Sequence, residues 1–286
     1  MLHQIVGGLK NALGLNRPGR NMAVFPDDVF VVSYPKSGNT WTRFLIANLV
    51  HPNERANFAN INRLVPDPEA LSRRELDRLP HPRYIKSHQY FDPRYPKVIY
   101  VVRDPRDVAL SHYHFQRKRK VLADSDRIEP FVSRFVAGGT SSYGSWGENV
   151  AGWLATRNGS AGFLLVRYED MLAKPNDELA RVASFLSIAA HAAQIYQAVQ
   201  RSSADEMRSM ERNQAHLWST TKDTRQDIPF VREAKAGGWK SELPQISIDE
   251  IESKWGGLMR YLGYETKGSE SGHDAVFESV LTGLGR

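Results

Sequence analysis

The stretch VVSYPKSGNTWTRFLIANLV, Val31 to Val50, decides the fold. Val29 to Ser33 is an unbroken apolar run, the pattern of a strand buried on both faces. From Thr40 to Val50 apolar residues recur at helical spacing. Between the two lies the polar turn PKSGNT. A helix that starts where a buried strand ends offers unpaired N–H groups and the positive end of its dipole. Gly38 permits close backbone approach, Ser37, Asn39 and Thr40 add short polar donors, and Lys36 adds a mobile positive charge. Together they make a phosphate cradle; the plainer reading of the same residues is a helix cap. The turn is not the triphosphate loop G-x-x-x-x-G-K-[ST], because its lysine precedes its glycine and no earlier glycine is present.

Working outward, three more apolar runs read as strands: Arg83 to Lys86, Val98 to Val102 and Phe163 to Val166. Helical patterns follow at Pro105 to Lys118, Ser145 to Arg157 and Asp177 to Leu186. Strands alternating with helices predict an α/β domain, a central parallel sheet flanked by helices in three layers. Ala189 to Arg212 reads as one helical stretch, Asn213 to Gly238 as irregular, and Ile248 to Leu262 as a last helix. A connection as long as 213–238 without regular structure is usually functional or mobile.

The chain has 286 residues, enough for one large domain. It is 41% hydrophobic and 24% charged, ordinary for a folded protein. A net charge of +6 suits anionic ligands but is spread too thinly to argue for nucleic acid. With no cysteine, disulfides, thiolate catalysis and cysteine-ligated zinc are excluded. No apolar run approaches the roughly 20 residues of a membrane span. Residues 1–22 carry Leu2, Ile5, Val6, Leu9 and Leu13 on one helical face and read as an amphipathic or flexible segment, compatible with peripheral membrane contact. The main domain is expected over 23–265, and 266–286 as a linker and short helix.

The order Tyr-Pro-Lys-Ser-Gly-x-Thr-Trp resembles the 5′-phosphosulfate loop of the sulfotransferases that use 3′-phosphoadenosine 5′-phosphosulfate. VIYVVRDPRDVALSHYHF resembles that family's 3′-phosphate segment, with Arg103 at the strand end and Ser111 eight residues later. A guanidinium grips phosphate bidentately, and a hydroxyl adds a neutral donor. FVREAKAGGWKSEL resembles the family's R-K-G-x-x-G-D-W-K loop: Arg232, Gly237, Trp239 and Lys240 match, whereas Glu233, Ala234 and Gly238 depart from it. The resemblance implies that Arg232 contacts the 3′-phosphate, Tyr168 of VRYEDM reaches the adenine, and Ser202 stands where a threonine contacts adenosine. Ala204 replaces a stacking phenylalanine, which leaves Trp41 as the aromatic partner of the base. The similarity spans roughly Asp28 to Gly263. It implies the P-loop-like fold of the family, a cytoplasmic enzyme, and 3′-phosphoadenosine 5′-phosphosulfate as donor cosubstrate.

Sulfuryl transfer needs a base for the acceptor proton, cations for the bridging oxygen, and alignment. No metal is required, since the leaving group is already good. The family's K-T-H is K-S-H here, which implies His88 as base and Lys86 beside Lys36 as stabilising cations. An imidazole near its unperturbed pKa of ~6.5 accepts a proton at neutral pH. His112 and His114 are rival bases, of which helix geometry lets at most one face the site. The acceptor, a small-molecule, sugar or lipid hydroxyl, would enter over segments 53–78, 121–146 and 213–229. Phe91, Tyr143 and Trp146 form the expected apolar wall; Arg94, Arg117, Lys118, Arg119 and Lys120 form a basic flank, and QRKRK alone reads as a solvated helix end. Asn149 stands where the family has a histidine. Two other functions remain open on the residues: a non-catalytic nucleotide-binding module and a phosphoryl-transfer enzyme on a related fold. The animal dimer motif after Trp-Lys is absent, and the oligomeric state stays unassigned.

Overall fold

The computed structural model describes residues 18–267. The amphipathic reading of the N-terminus and the C-terminal linker and helix fall almost wholly outside them. Four strands carry the fold: β1 (Val29–Ser33), β2 (Tyr84–Ser87), β3 (Lys97–Val102) and β4 (Phe163–Arg167). They form one parallel sheet in the order β2-β1-β3-β4. All four are legible as apolar runs, with ends displaced by one residue or so.

The helices, in chain order, are α1 (Asn39–Val50), α2 (Ile61–Leu64), α3 (Arg73–Asp77), α4 (Pro105–Lys118), α5 (Ile128–Val136), α6 (Trp146–Arg157), α7 (Tyr168–Ala173), α8 (Pro175–Phe185), α9 (Ala192–Arg201), α10 (Ala204–Gln214), α11 (Trp239–Glu242) and α12 (Gln245–Tyr261). Alternation along β1 sorts the core into two layers. Phe30 and Val32 face a cluster with Val108, Phe135, Trp153 and Trp255, from α4, α5, α6 and α12. Val29 and Val31 face another with Phe44, Leu45, Leu179 and Ile195, from α1, α8 and α9. A central strand with every residue buried on either side is what an apolar run without polar alternation requires.

Local chemistry starts and stops the helices. Asp104 caps α4, its carboxylate accepting from Arg106 N at 2.9 Å, and Pro105 takes the first helical position, where no N–H is needed. Ser145 and Glu148 form a reciprocal capping box at α6. The single helical stretch expected over 189–212 is two helices: Ser202 ends α9, and Ser203 starts α10 by accepting from Glu206 N. Helix α5 has a readable signal, Ile128, Phe131, Val132 and Phe135 at spacing i, i+3, i+4, i+7, inside a segment expected at the acceptor entrance.

Candidate active site

In the turn after β1, Gly38 has φ +101°, a conformation that favours glycine. A Cβ there would lie 2.5 Å from Tyr168 Cδ2, so the approach of that ring dictates the glycine independently. Lys36 also adopts positive φ, at +70°. Asn39 Nδ2 donates to Val31 O at 3.0 Å and ties the first turn of α1 back to its strand. Among the described residues no side chain caps this helix, so the N–H groups of its first turn stay available.

A cavity of about 500 Å³ opens beyond the carboxyl ends of the strands, where parallel α/β sheets place their ligands. Lys36, Gly38, Asn39, Thr40 and Trp41 line it from the cradle. Arg103, Ser111, Tyr168 and Arg232 line it from the far side, and Lys86 and His88 from the end of β2. Eleven of the thirteen residues singled out from sequence therefore meet in one cavity. The exceptions are Ser37 and Ser202. Ser37 is buried under the turn with its hydroxyl unpartnered among the described residues. Ser202 is fully buried, and its hydroxyl is spent: it donates to Ala198 O at 2.8 Å and accepts from Asn48 Nδ2 at 3.0 Å. Its backbone carbonyl accepts from Trp41 Nε1 at 3.0 Å, so Ser202 holds the aromatic wall in place.

Arg103 leaves β3 with its guanidinium 4.3 Å over the Tyr168 ring, bonded to Lys36 O and Lys235 O and 3.7 Å from Asp107. Its Nε is buried without a partner among the described residues, an orphaned donor at the place where a phosphate oxygen is expected. Asp107 mainly serves the loop, accepting from Gly237 N at 2.8 Å and Trp239 N at 3.1 Å. Arg232 is 3.1 Å from Glu242. Ala234, standing where the family pattern has glycine, sits at φ +50°, the conformation glycine would adopt without strain.

His88 Nδ1 lies 2.7 Å from Ser33 O. A carbonyl only accepts, so Nδ1 carries the proton and donates, and Nε2 keeps its lone pair. Burial, then the Lys86 ammonium, push the imidazole down to about 3; the Ser33 carbonyl opposes them. The free protein therefore holds His88 neutral far below the ~6.5 expected of an unperturbed ring. Asn149, fully buried, donates to His88 O at 3.2 Å and Tyr143 O at 3.3 Å and accepts from Tyr100 OH at 2.8 Å, bracing the loop that carries His88. Of the rival histidines only His112 lines the cavity; His114 faces Glu242 at 3.5 Å.

Lys86 is not free: its Nζ donates to Asp67 Oδ2 at 2.7 Å. Burial alone would raise the carboxyl of Asp67, which is 8% exposed, but Lys86 and then Arg43 outweigh it and hold the group below the usual carboxylate range. Nothing in the sequence singles out Asp67, which lies 19 positions before its partner. Tyr143 reaches the cavity mouth, hydrogen-bonded to Glu69. The rest of the expected apolar wall is elsewhere: Phe91 packs on Trp153, and Trp146 is fully buried with its Nε1 donating to Arg103 O. The basic flank also divides. Arg119 alone of it lines the cavity, Arg94 pairs with Asp92, and Lys118 is 1% exposed.

A P-loop-like α/β fold with a helix-start anion cradle, two convergent arginines and a neutral histidine defines a nucleotide-dependent group-transfer architecture. The comparison with known proteins is narrower. Residues 26–262 match the sulfotransferase domain, and the chain belongs to that family. It is 30% identical over 251 residues to Sulfotransferase 1C2 of Oryctolagus cuniculus, covering 80% of this chain and 83% of that one. It is 29% identical over 256 residues to Sulfotransferase 1A1 of Canis lupus familiaris, covering 83% and 85%. Among solved structures, mouse sulfotransferase SULT7A1 complexed with PAP superposes at a TM-score of 0.68 with 22% identity, over 96% of this chain and 94% of that one. Retinol dehydratase in complex with androsterone and inactive cofactor PAP gives 0.68 with 20% identity, over 89% and 86%. Among the described residues, no helix is long and apolar enough to cross a membrane.

Proposed function

We propose that this chain transfers a sulfuryl group from 3′-phosphoadenosine 5′-phosphosulfate to a hydroxyl acceptor, with His88 as general base and Lys36 and Lys86 as the stabilising cations. The observation that carries the reading is the hydrogen bond from His88 Nδ1 to Ser33 O, which leaves Nε2 as a proton acceptor in the cavity that the cradle also lines. A module that only binds a nucleotide has no use for a base held in that tautomer.

The donor fits the residues present. The uncapped start of α1 and Lys36 take the 5′ end, Arg103, Ser111 and Arg232 take the 3′-phosphate, and Trp41 and Tyr168 flank the adenine. The orphaned Arg103 Nε supports a phosphate there. His88 takes the acceptor's proton at Nε2 as the acceptor oxygen bonds to sulfur. The bond from sulfur to the 5′-phosphate oxygen breaks, and Lys36 neutralises the charge left on that oxygen. Lys86 faces the equatorial oxygens from the other side. Solved relatives crystallised with PAP support the donor, and the complexes of retinol dehydratase with androsterone and with retinol support a small-molecule acceptor. The acceptor reaches His88 past Glu69 and Tyr143.

The test compares 3′-phosphoadenosine 5′-phosphate with ATP by thermal shift. A clear rise in Tm is expected for the first and little for the second. Equal or greater stabilisation by ATP would favour phosphoryl transfer and overturn the proposal.

A further inference from the structure

Among the described residues, Lys36 Nζ makes no ion pair and no hydrogen bond; its contacts are two aromatic faces. The ammonium sits 4.1 Å from the centroid of Phe115, on α4, and 4.3 Å from that of Phe230, in the irregular segment before α11. The two rings meet at 80° with centroids 5.8 Å apart, so they form two jaws of one slot.

The Phe230 jaw is held by buried charge. Glu211, on α10, accepts from Phe230 N at 2.6 Å and from Val231 N at 2.9 Å. Lys118, at the end of α4, lies 3.4 Å from the same carboxylate and donates to Arg225 O at 2.9 Å and Ile228 O at 2.6 Å. Both are almost fully buried. Two charged side chains thus satisfy four backbone groups of a segment with no regular structure of its own, and the ring they place is the one against Lys36.

We propose that Phe115 and Phe230 are positioning residues for Lys36: their faces hold its ammonium charged but without a counter-ion until the donor arrives, and the Lys118–Glu211 pair keeps the Phe230 jaw in place. The proposal rests on the reading of Lys36 as the lysine at the leaving oxygen. A carboxylate partner would have to be displaced by the donor's own anion. A ring face attracts a cation through its quadrupole without full counter-charge, so an incoming phosphosulfate takes the ammonium without such an exchange. Keeping the charge is not automatic here. Burial, then Arg103 from the end of β3 and Arg232 from the loop, push Lys36 down to about 7. Glu211 opposes them, while Lys118 adds to them; His112 on α4 faces the same ammonium.

The experiment has two arms on the full chain. In the first, the Lys36 side chain is titrated by carbon-detected NMR without ligand. Phe230→Leu keeps apolar bulk but removes the ring face, and should move the lysine's titration down by ~0.5–1 pH unit. An upward or absent shift would mean that the ring only excludes water, and would overturn the proposal. Phe230→Tyr should restore the parental titration, and Glu211→Gln should give a shallower downward shift; a parental value for the latter would remove Glu211 as the hold.

In the second arm, sulfuryl transfer is measured from labelled donor to a simple phenol and a steroid alcohol. Phe230→Leu should lower kcat about tenfold with the donor KM within about threefold, and should lower nothing further in a Lys36→Met background. Equal losses in both backgrounds would make Phe230 a packing residue. If 3′-phosphoadenosine 5′-phosphate stabilises the parent no better than ATP while the titration shift is found, the slot stands and the proposed function falls. If the parent transfers sulfate and the shift is absent, the function stands and the slot falls.

Discussion

Lys36 and Lys86 reach the same cavity from two regions that treat a cation in opposite ways. Lys36 rises from the cradle turn into a slot of ring faces, with no carboxylate of the described residues in contact. Lys86 stands at the end of β2 with its ammonium on Asp67 at 2.7 Å. The first ammonium is desolvated and pushed down to about 7; the second holds its partner's carboxylate in the charged form. A cation without a counter-ion suits an incoming anion, and a cation with one suits a fixed position. The Lys36 side of the cavity is therefore open to charge, whereas the Lys86 side is internally balanced.

The largest test of that contrast lies between the two lysines. His88→Asn keeps polarity and size but cannot accept a proton at neutral pH; turnover should fall by ~10²–10⁴ with binding of 3′-phosphoadenosine 5′-phosphate near parental by calorimetry. Near-parental turnover would pass the role to His112, the other histidine of the described residues that lines the cavity. Next, Lys36→Met should cost turnover ~10²–10³, more than it costs donor affinity, because its charge matters most as the leaving oxygen gains its own. A binding defect with intact turnover would make Lys36 a ground-state anchor and erase its difference from Lys86.

Arg103→Ala should weaken 3′-phosphoadenosine 5′-phosphate about 10- to 100-fold and leave adenosine 5′-phosphate nearly untouched. Equal losses would remove Arg103 from the 3′-phosphate. The pH profile follows the signs of the shifts. Lys36 is proposed to act as a cation, so kcat/KM for the donor should be full below about 7 and fall as pH rises through it, where the free protein loses that proton. His88, the proposed base, is neutral down to about 3, so no acid limb should appear between pH 5 and 7. An acid limb near 6.5 would return His88 to an ordinary, hydrated imidazole. The smallest effect is expected of Asp67→Asn, which leaves Lys86 charged but less firmly placed: a several-fold loss of turnover, well short of that of Lys36→Met.

The same contrast explains what the sequence could disclose. Strand, turn and helix of the cradle are contiguous, so Lys36, Gly38 and Thr40 carry their meaning within a dozen positions. Arg103 and Ser111 do likewise, at the end of one strand and on one face of the next helix. Asp67 and Lys86 meet only because Lys86 N donates to Pro66 O beside β2, a pairing that no local pattern announces. Lys118 misleads for a similar reason. In QRKRK it looks like a solvated helix end, yet the carbonyls and the carboxylate that bury it come from 93 to 110 positions further on. Phe91 and Trp146 look like a substrate wall because bulk and position are visible in sequence, whereas the direction a side chain takes is settled by what packs against it.

The bond between His88 Nδ1 and Ser33 O has a temporal side. Strands β1 and β2 pair in parallel with Val32 opposite Ser87, so Ser33 and His88 are the next rung beyond the ladder. The carbonyl that fixes the proton on that imidazole is therefore supplied by strand register, and a slip of one residue would present Ser87 or Gln89 instead and turn alternate side chains to the wrong face. The tautomer of His88 is thus written into the chain as the sheet zips up, before any ligand has been met. A molecule that misregisters those two short strands would be a folding product without that imidazole held in its one tautomer.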